Sequence, residues 1–143
     1  MQMEYNKKDV LIVEDDSSLL SCMQEGISNY DYVFFSCTCE TAANGKDAII
    51  KAKAHHYDLI ITDMRMPEKD GVEFINEVRQ TELHKTTPII FISSYFDITP
   101  PEKYKKISDN ITLLGKPFSL RSIVNTISTL LHSDQHSKIN QDI

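Results

Sequence analysis

The sequence predicts an open α/β fold built on a parallel sheet, and three observations lead there. Short Val/Leu/Ile-rich runs alternate with amphipathic stretches along the chain, the pattern of successive βα units. The runs Val10-Leu11-Ile12-Val13 and Leu59-Ile60-Ile61 are apolar at every position, as central strands covered on both faces should be. Four runs also end in reactive polar residues. Val10–Val13 leads into Glu14-Asp15-Asp16, Leu59–Thr62 into Asp63, Ile89–Ile92 into Ser93-Ser94, and Ile111–Gly115 into Lys116-Pro117-Phe118. Open parallel sheets bind ligands at the carboxyl ends of their strands, so all four termini meet at one edge.

The elements follow in order. The first strand is read as about 9–14. Asp16 or Ser17 caps a helix carrying Leu19, Leu20, Met23 and Ile27, with Gly26 near its end and a loop from Ser28 to Asp31. Tyr32 to Thr38, β-branched and aromatic, reads as the second strand. Asn44-Gly45 supplies a turn and cap before a short helix with Ala48, Ile49 and Ala52 on one face. The third strand covers about 57–63. A loop with turn chemistry follows, Met64 to Gly71, and Asp70 with Glu73 resembles a capping box for the helix of Phe74, Ile75 and Val78. Pro88 opens the fourth strand, where a missing donor is tolerated. Thr99 and Glu102 have capping-box spacing and start a fourth, weakly anchored helix with Tyr104 and Ile107. The fifth strand is about 111–115, and the last helix carries Leu120, Ile123, Val124, Ile127, Leu130 and Leu131.

In domain terms this gives an N-terminal extension at 1–8, one folded unit at 9–132 and a polar tail at 133–143 expected to be disordered. The chain has 143 residues, enough to bury a core without disulfides. The polar N-terminus lacks the pattern of a secretory signal, and no apolar run has membrane-spanning length, so a cytoplasmic protein with no membrane contact is expected. A net charge of −6 offers no basic surface for a phosphate backbone and argues against direct nucleic-acid binding. Cys37 and Cys39 share one face of a strand, and with Cys22 they are read as small packing residues rather than a metal or redox pair. His55, His56, His84, His132 and His136 lack ligand spacing with the acids and are expected at the surface.

At the shared strand edge, Glu14, Asp15 and Asp63 would be driven together. Like charges at close range repel and raise one another's pKa values, and a hard divalent cation such as Mg²⁺ relieves that. Each residue has a plainer reading alone: a helix cap or solvated strand end for the acids, a strand-end hydroxyl for Ser93, a solvated side chain for Lys116. Their convergence favours a site. A carboxylate beside Mg²⁺ and a lysine can attack phosphorus and form an aspartyl phosphate. Asp63 is the best nucleophile, because it ends the middle run and precedes a loop.

Glu14-Asp15, Asp63 with Met66-Pro67-x-x-Asp70-Gly71, Ser93-Ser94 and Lys116-Pro117-Phe118 together resemble the receiver domain of two-component response regulators, over roughly residues 8–132. The resemblance implies a flavodoxin-like (βα)5 doubly wound sheet of five parallel strands in the order 2-1-3-4-5. It implies Asp63 as phosphoacceptor, Glu14 and Asp15 as the acidic pair holding Mg²⁺, and the Arg65 backbone carbonyl as a further ligand. Ser93 would be the switch hydroxyl and Lys116 the ion-pair partner of the phosphoryl group, with Pro117 in the position of the family's often cis proline. A histidine kinase or phosphotransfer protein would donate the phosphate. A downstream effector protein, or an output domain missing from this chain, would read the face built from the fourth helix, fifth strand and last helix. Self-association through the last helices is a further option in such relatives. The domain would be regulatory, catalysing only its own phosphorylation and dephosphorylation.

Two positions depart from that pattern. Leu113 stands where the family usually has a tyrosine or phenylalanine that follows the switch hydroxyl, and Asp109-Asn110 stands where a Gly-Ala pair is frequent. Tyr95 or Tyr104 could serve as the reporting ring. Arg65 and Tyr95, each two residues past a site residue, are bulky and are expected to screen the acyl phosphate from water. The departures motivate an alternative, a pseudo-receiver that binds protein without phosphorylation. A phosphohydrolase would carry a second acid where Arg65 stands, and a flavodoxin would carry a Gly/Ser/Thr-rich phosphate loop after the first strand; neither feature is present.

Overall fold

The computed structural model describes residues 6–66, 68–94 and 110–141. In chain order these form β1 (Asn6–Val13), α1 (Ser17–Asn29), β2 (Phe35–Ala42), α2 (Gly45–Ala54), β3 (Leu59–Asp63), α3 (Gly71–Arg79), a 3-10 turn (Glu82–His84), β4 (Ile89–Ser93), β5 (Ile111–Gly115) and a last helix (Leu120–Gln141). The five strands are parallel and lie in the order β2-β1-β3-β4-β5. That is the doubly wound order expected. The helix expected from Thr99 lies outside the described residues, as do Tyr95 and Tyr104.

Alternation of side chains along the central strands divides the apolar residues into two layers. Leu11, Val13, Ile60 and Phe91 pack with Ala48, Ile49 and Ala52 of α2 and Phe74, Ile75 and Val78 of α3. Val10, Ile12, Ile61, Ile90 and Ile92 pack on the opposite face with Met23 and Ile27 of α1 and Ile123, Val124, Ile127 and Leu131 of the last helix. All five residues of β3 are buried, which makes it the middle of the sheet. Phe118, partly buried, packs at the margin of the second layer.

The helix starts are held by the side chains that the sequence suggests. Asp16, rather than Ser17, caps α1 by accepting from the amides of Ser18 and Leu19 at 3.0 and 3.2 Å. Asn44 accepts from the Asp47 amide at 2.8 Å, and Asp70 from the Glu73 amide at 2.9 Å. Each cap fixes the angle at which a strand-end loop enters its helix.

Two strands depart from expectation. β1 begins at Asn6 rather than about 9, because all eight of its residues pair with β2, from Asn6↔Phe35 to Val13↔Ala42. Backbone pairing carries the strand through Asn6-Lys7-Lys8, where no apolar pattern marks it. β2 begins at Phe35 rather than Tyr32. Tyr32 is instead a buried plug in the connection, its hydroxyl donating to the Ile27 carbonyl at 3.2 Å and its ring stacked on Phe35. The last helix runs past His132 to Gln141, through residues read as a polar tail.

His84 also corrects the sequence reading, since it is fully buried rather than at the surface. Its Nε2 lies 3.1 Å from the carbonyls of Ala52 and His55, and its Nδ1 lies 3.0 Å from the Thr87 hydroxyl. Carbonyls only accept, so Nε2 carries the proton and Nδ1 accepts from Thr87. Burial lowers the pKa of the ring and keeps it neutral. Nearby, the Arg79 guanidinium donates to the carbonyls of His84 and Thr87 at 3.1 and 2.6 Å, and the Asn110 amide donates to Thr86 at 2.7 Å. Asn110 has a φ of 72°, a left-handed conformation that asparagine tolerates better than most residues.

His84→Ala removes a ring that ties α2 to the segment before β4 and strands the Thr87 hydroxyl. It should destabilise the fold by about 2–4 kcal/mol in urea denaturation. A loss under about 0.5 kcal/mol, the range of ordinary surface substitutions, would show that the buried ring is not a structural tie.

Candidate functional site

β1 and β3 are adjacent in the sheet, so their last residues open onto the same edge. Glu14 follows β1 directly, and its amide still donates to the Ala42 carbonyl of β2 at 3.1 Å. Asp63 ends β3, and the Met64 amide donates to the Ile92 carbonyl of β4 at 3.0 Å. The structure brings Glu14, Asp15 and Asp63 together: one carboxylate oxygen from each lies within 4.8 Å of the others. The three acids differ in environment. Glu14 and Asp63 are buried and Asp15 is exposed. Consecutive residues leaving a strand face opposite ways, so one acid turns into the sheet and the next into solvent.

Lys116 reaches the cluster from the end of β5. Its Nζ lies 3.1 Å from Asp63 Oδ2 and 3.8 Å from Glu14 Oε2. The backbone beneath is fixed by the Lys116 amide, which donates to the Ser93 carbonyl at 2.7 Å. The Lys116-Pro117 peptide is cis. Burial pulls the Lys116 pKa down, but the bond to Asp63 and the surrounding carboxylates outweigh it, so the ammonium is held charged. Ser93, half-buried, sits one residue past Ile92, the lateral partner of Asp63, and beside Gly115. Arg65 is exposed two residues after Asp63. Leu113 is exposed on β5.

The acids are not balanced by the protein alone. Burial, followed by the neighbouring Asp63, raises the Glu14 carboxyl to about 7. Glu14 Oε2 is buried with no hydrogen-bond partner. Asp63 Oδ1 accepts from the Met64 amide at 2.8 Å, and its Oδ2 faces Lys116. With all three acids ionised, three carboxylates against one ammonium would leave two negative charges, and the raised Glu14 carboxyl shows the cost of that state. Hard oxygen donors, an orphaned buried oxygen and a deficit of two positive charges fit a divalent cation such as Mg²⁺. Burial pushes the Cys37 and Cys39 thiols up to about 11 and about 12, so both stay protonated in the packed strand.

One contributor is not obvious in the sequence. The Gly71 amide donates to the Met64 carbonyl at 2.9 Å, and a Cβ on Gly71 would lie 2.3 Å from the Asp63 carbonyl oxygen. The start of α3 therefore packs directly on the backbone of the turn that carries Asp63. Asp70, immediately before it, caps that helix. The Asp-Gly pair marks a turn in sequence, but only the fold shows what the missing side chain admits.

A raised Glu14 pKa has a stability consequence of definite sign. The folded carboxyl titrates near 7 and the unfolded one near 4.5, so the native chain holds an extra proton between those values. Stability is then fully present below about 4.5 and falls as pH rises toward 7. Glu14→Gln should stabilise the metal-free protein at pH 8, by about 1–3 kcal/mol, and gain less at pH 5. Equal gains in urea titrations at both pH values would refute the shift.

Residues 10–128 match the family model of the response regulator receiver domain. The response regulator ArlR of Staphylococcus aureus is 29% identical over 134 residues, covering 91% of this chain and 55% of that protein. The chain thus spans about half the length of the curated relatives it matches. Among solved structures, the chemotaxis response regulator CheY4 of Vibrio cholerae is 30% identical, with a TM-score of 0.73 over 89% of this chain and 99% of that one. The receiver domain of a Pseudomonas aeruginosa sensor histidine kinase, solved with a magnesium ion in its active site cleft, is 22% identical. It shares the fold with a TM-score of 0.72, over 88% and 98% of the two chains. Fold, residue order and family match agree, and the chain belongs to the response regulator receiver domain family.

Proposed function

We propose that this receiver domain accepts a phosphoryl group on Asp63 from a histidine kinase or phosphotransfer protein, with Mg²⁺ bound by Glu14, Asp15, Asp63 and the Arg65 backbone carbonyl. The observation that carries the reading is the Lys116 ammonium at 3.1 Å from Asp63 Oδ2, beside a buried Oε2 of Glu14 that has no hydrogen-bond partner. Bound Mg²⁺ would neutralise charge on the carboxylates and on the incoming phosphoryl oxygens. In the transfer, an Asp63 carboxylate oxygen forms the new bond to phosphorus, and the donor's imidazole leaves with the electron pair of the broken P–N bond. Lys116 supplies a fixed positive charge for the phosphoryl oxygens, and Ser93 a neutral hydroxyl donor on the neighbouring strand end.

Transfer of that kind shifts a two-state equilibrium only through contacts made in one state and not the other. A dianionic phosphoryl group able to engage Ser93 and Lys116 provides such contacts, at the ends of β4 and β5. Output would then pass through the face that includes β5 and the last helix, to an effector protein or a further domain. The chemistry is regulatory, limited to the domain's own phosphorylation and dephosphorylation, and suits the cytoplasm. Among the described residues no helix is long and apolar enough to cross a membrane.

Incubation with acetyl phosphate and Mg²⁺ should add one phosphate by intact mass, and Asp63→Asn should abolish the addition. Labelling that persists in Asp63→Asn would move the acceptor elsewhere and defeat the assignment. Arg65, exposed beside the acceptor, screens the acyl phosphate from water in this reading. Arg65→Ala should therefore shorten the lifetime of the phosphorylated form severalfold, and an unchanged decay rate would remove Arg65 from that role.

A further inference from the structure

The loop after Asp63 is held from a second side, by a residue of α2 that belongs to none of the site groups. Gly45 is the first residue of α2, directly after the Asn44 cap. A Cβ on Gly45 would lie 2.4 Å from the Lys69 carbonyl oxygen, 2.9 Å from its Cβ and 3.1 Å from its carbonyl carbon. The first two distances are shorter than real Cβ contacts allow, and the closest partner is backbone, which cannot turn aside as a side-chain end can. The loop is also drawn tight at this point. Glu68, just before Lys69, has a φ of 69°, a left-handed conformation rare for a side-chain-bearing residue. The Lys69 ammonium pairs with the Glu77 carboxylate of α3, so Lys69 is held by α3 through its side chain and against α2 through its backbone. Met64 and Met66 of the same loop sink into the core shared with Ala48 and Ile49 of α2.

We infer that Gly45 is a positioning residue for the phosphoacceptor site, its missing side chain letting α2 seat the loop that carries Arg65 and begins at Asp63. The inference rests on the phosphoacceptor reading above. The loop spans only from Met64 to Asp70, with Gly71 locked onto Asp63 at its far end. A methyl on Gly45 must push Lys69 away, and in so short a loop the displacement reaches the carbonyl proposed to ligate Mg²⁺. Displacements of about 1 Å at such a site are felt as order-of-magnitude losses.

Gly26 supplies the control. The three atoms nearest to a Cβ there all belong to the flexible Leu120 side chain, the closest at 2.6 Å. The full chain would be compared as wild type, Gly45→Ala and Gly26→Ala. Mg²⁺ affinity would be measured by calorimetry without a phosphodonor, and the Mg²⁺ dependence of acetyl phosphate labelling by intact mass. Gly45→Ala should weaken Mg²⁺ binding about tenfold, raise the half-saturating Mg²⁺ in labelling to match, and shift the amide resonances of the 64–70 loop. Gly26→Ala should bind as wild type does. Unchanged Mg²⁺ affinity in Gly45→Ala, or an equal loss in both glycine variants, would overturn the role. If Gly45→Ala does not fold by circular dichroism, Asn44→Ala takes its place. It releases the α2 cap without adding an atom at the contact, and wild-type Mg²⁺ affinity in it would equally reject the inference. A wild-type chain that takes no phosphate at any Mg²⁺ concentration would sink the phosphoacceptor reading, while the calorimetric comparison would still decide the role of Gly45.

Discussion

The packing of two buried carboxylates at the ends of neighbouring central strands is the constraint that the site answers to. β1 and β3 lie side by side because both are apolar on both faces, and the polar residues that terminate them have nowhere else to go. Glu14 and Asp63 are thereby forced into a low-dielectric corner where their charges oppose one another. Lys116 offsets part of this, and the remainder is an appetite for positive charge. The site is thus a place where the fold is electrostatically unfinished.

The apolar strands were legible because burial on both faces leaves continuous runs of Val, Leu and Ile, which little else in a soluble chain produces. The caps at Asn44 and Asp70 were legible for a similar reason, since their side chains act within a few residues of themselves. What failed was whatever depends on a distant partner. Tyr32 carries the chemistry of a strand but serves as a plug under α1. Asn6, Lys7 and Lys8 look like a frayed end but are paired along β2. His84 has no periodic neighbours to announce that α2 carbonyls will surround it. The unequal exposure of Glu14 and Asp15 could have been read from strand alternation alone.

Glycines divide along the same line. Asp70-Gly71 and Asn44-Gly45 both read as turn and cap signals, and both are. In each case, however, the glycine's further role is to let a helix start approach a backbone carbonyl that no side chain would permit, Asp63 in one case and Lys69 in the other. The two contacts bracket the segment between β3 and α3. That segment is consequently shaped by α2 as well as by its own residues, although α2 contributes no charged group to the cluster.

The bond between Lys116 and Asp63 spans 53 residues of sequence and bridges over β4, which separates their two strands. It therefore exists only while the outermost strand is seated. Among the described residues β5 has β4 as its only strand neighbour, and its own side chains are half-buried or exposed. The electrostatic state of the most interior strand end is, in this way, a gauge of whether the rim is docked. By reciprocity, anything that alters charge at the centre changes how strongly the rim is held.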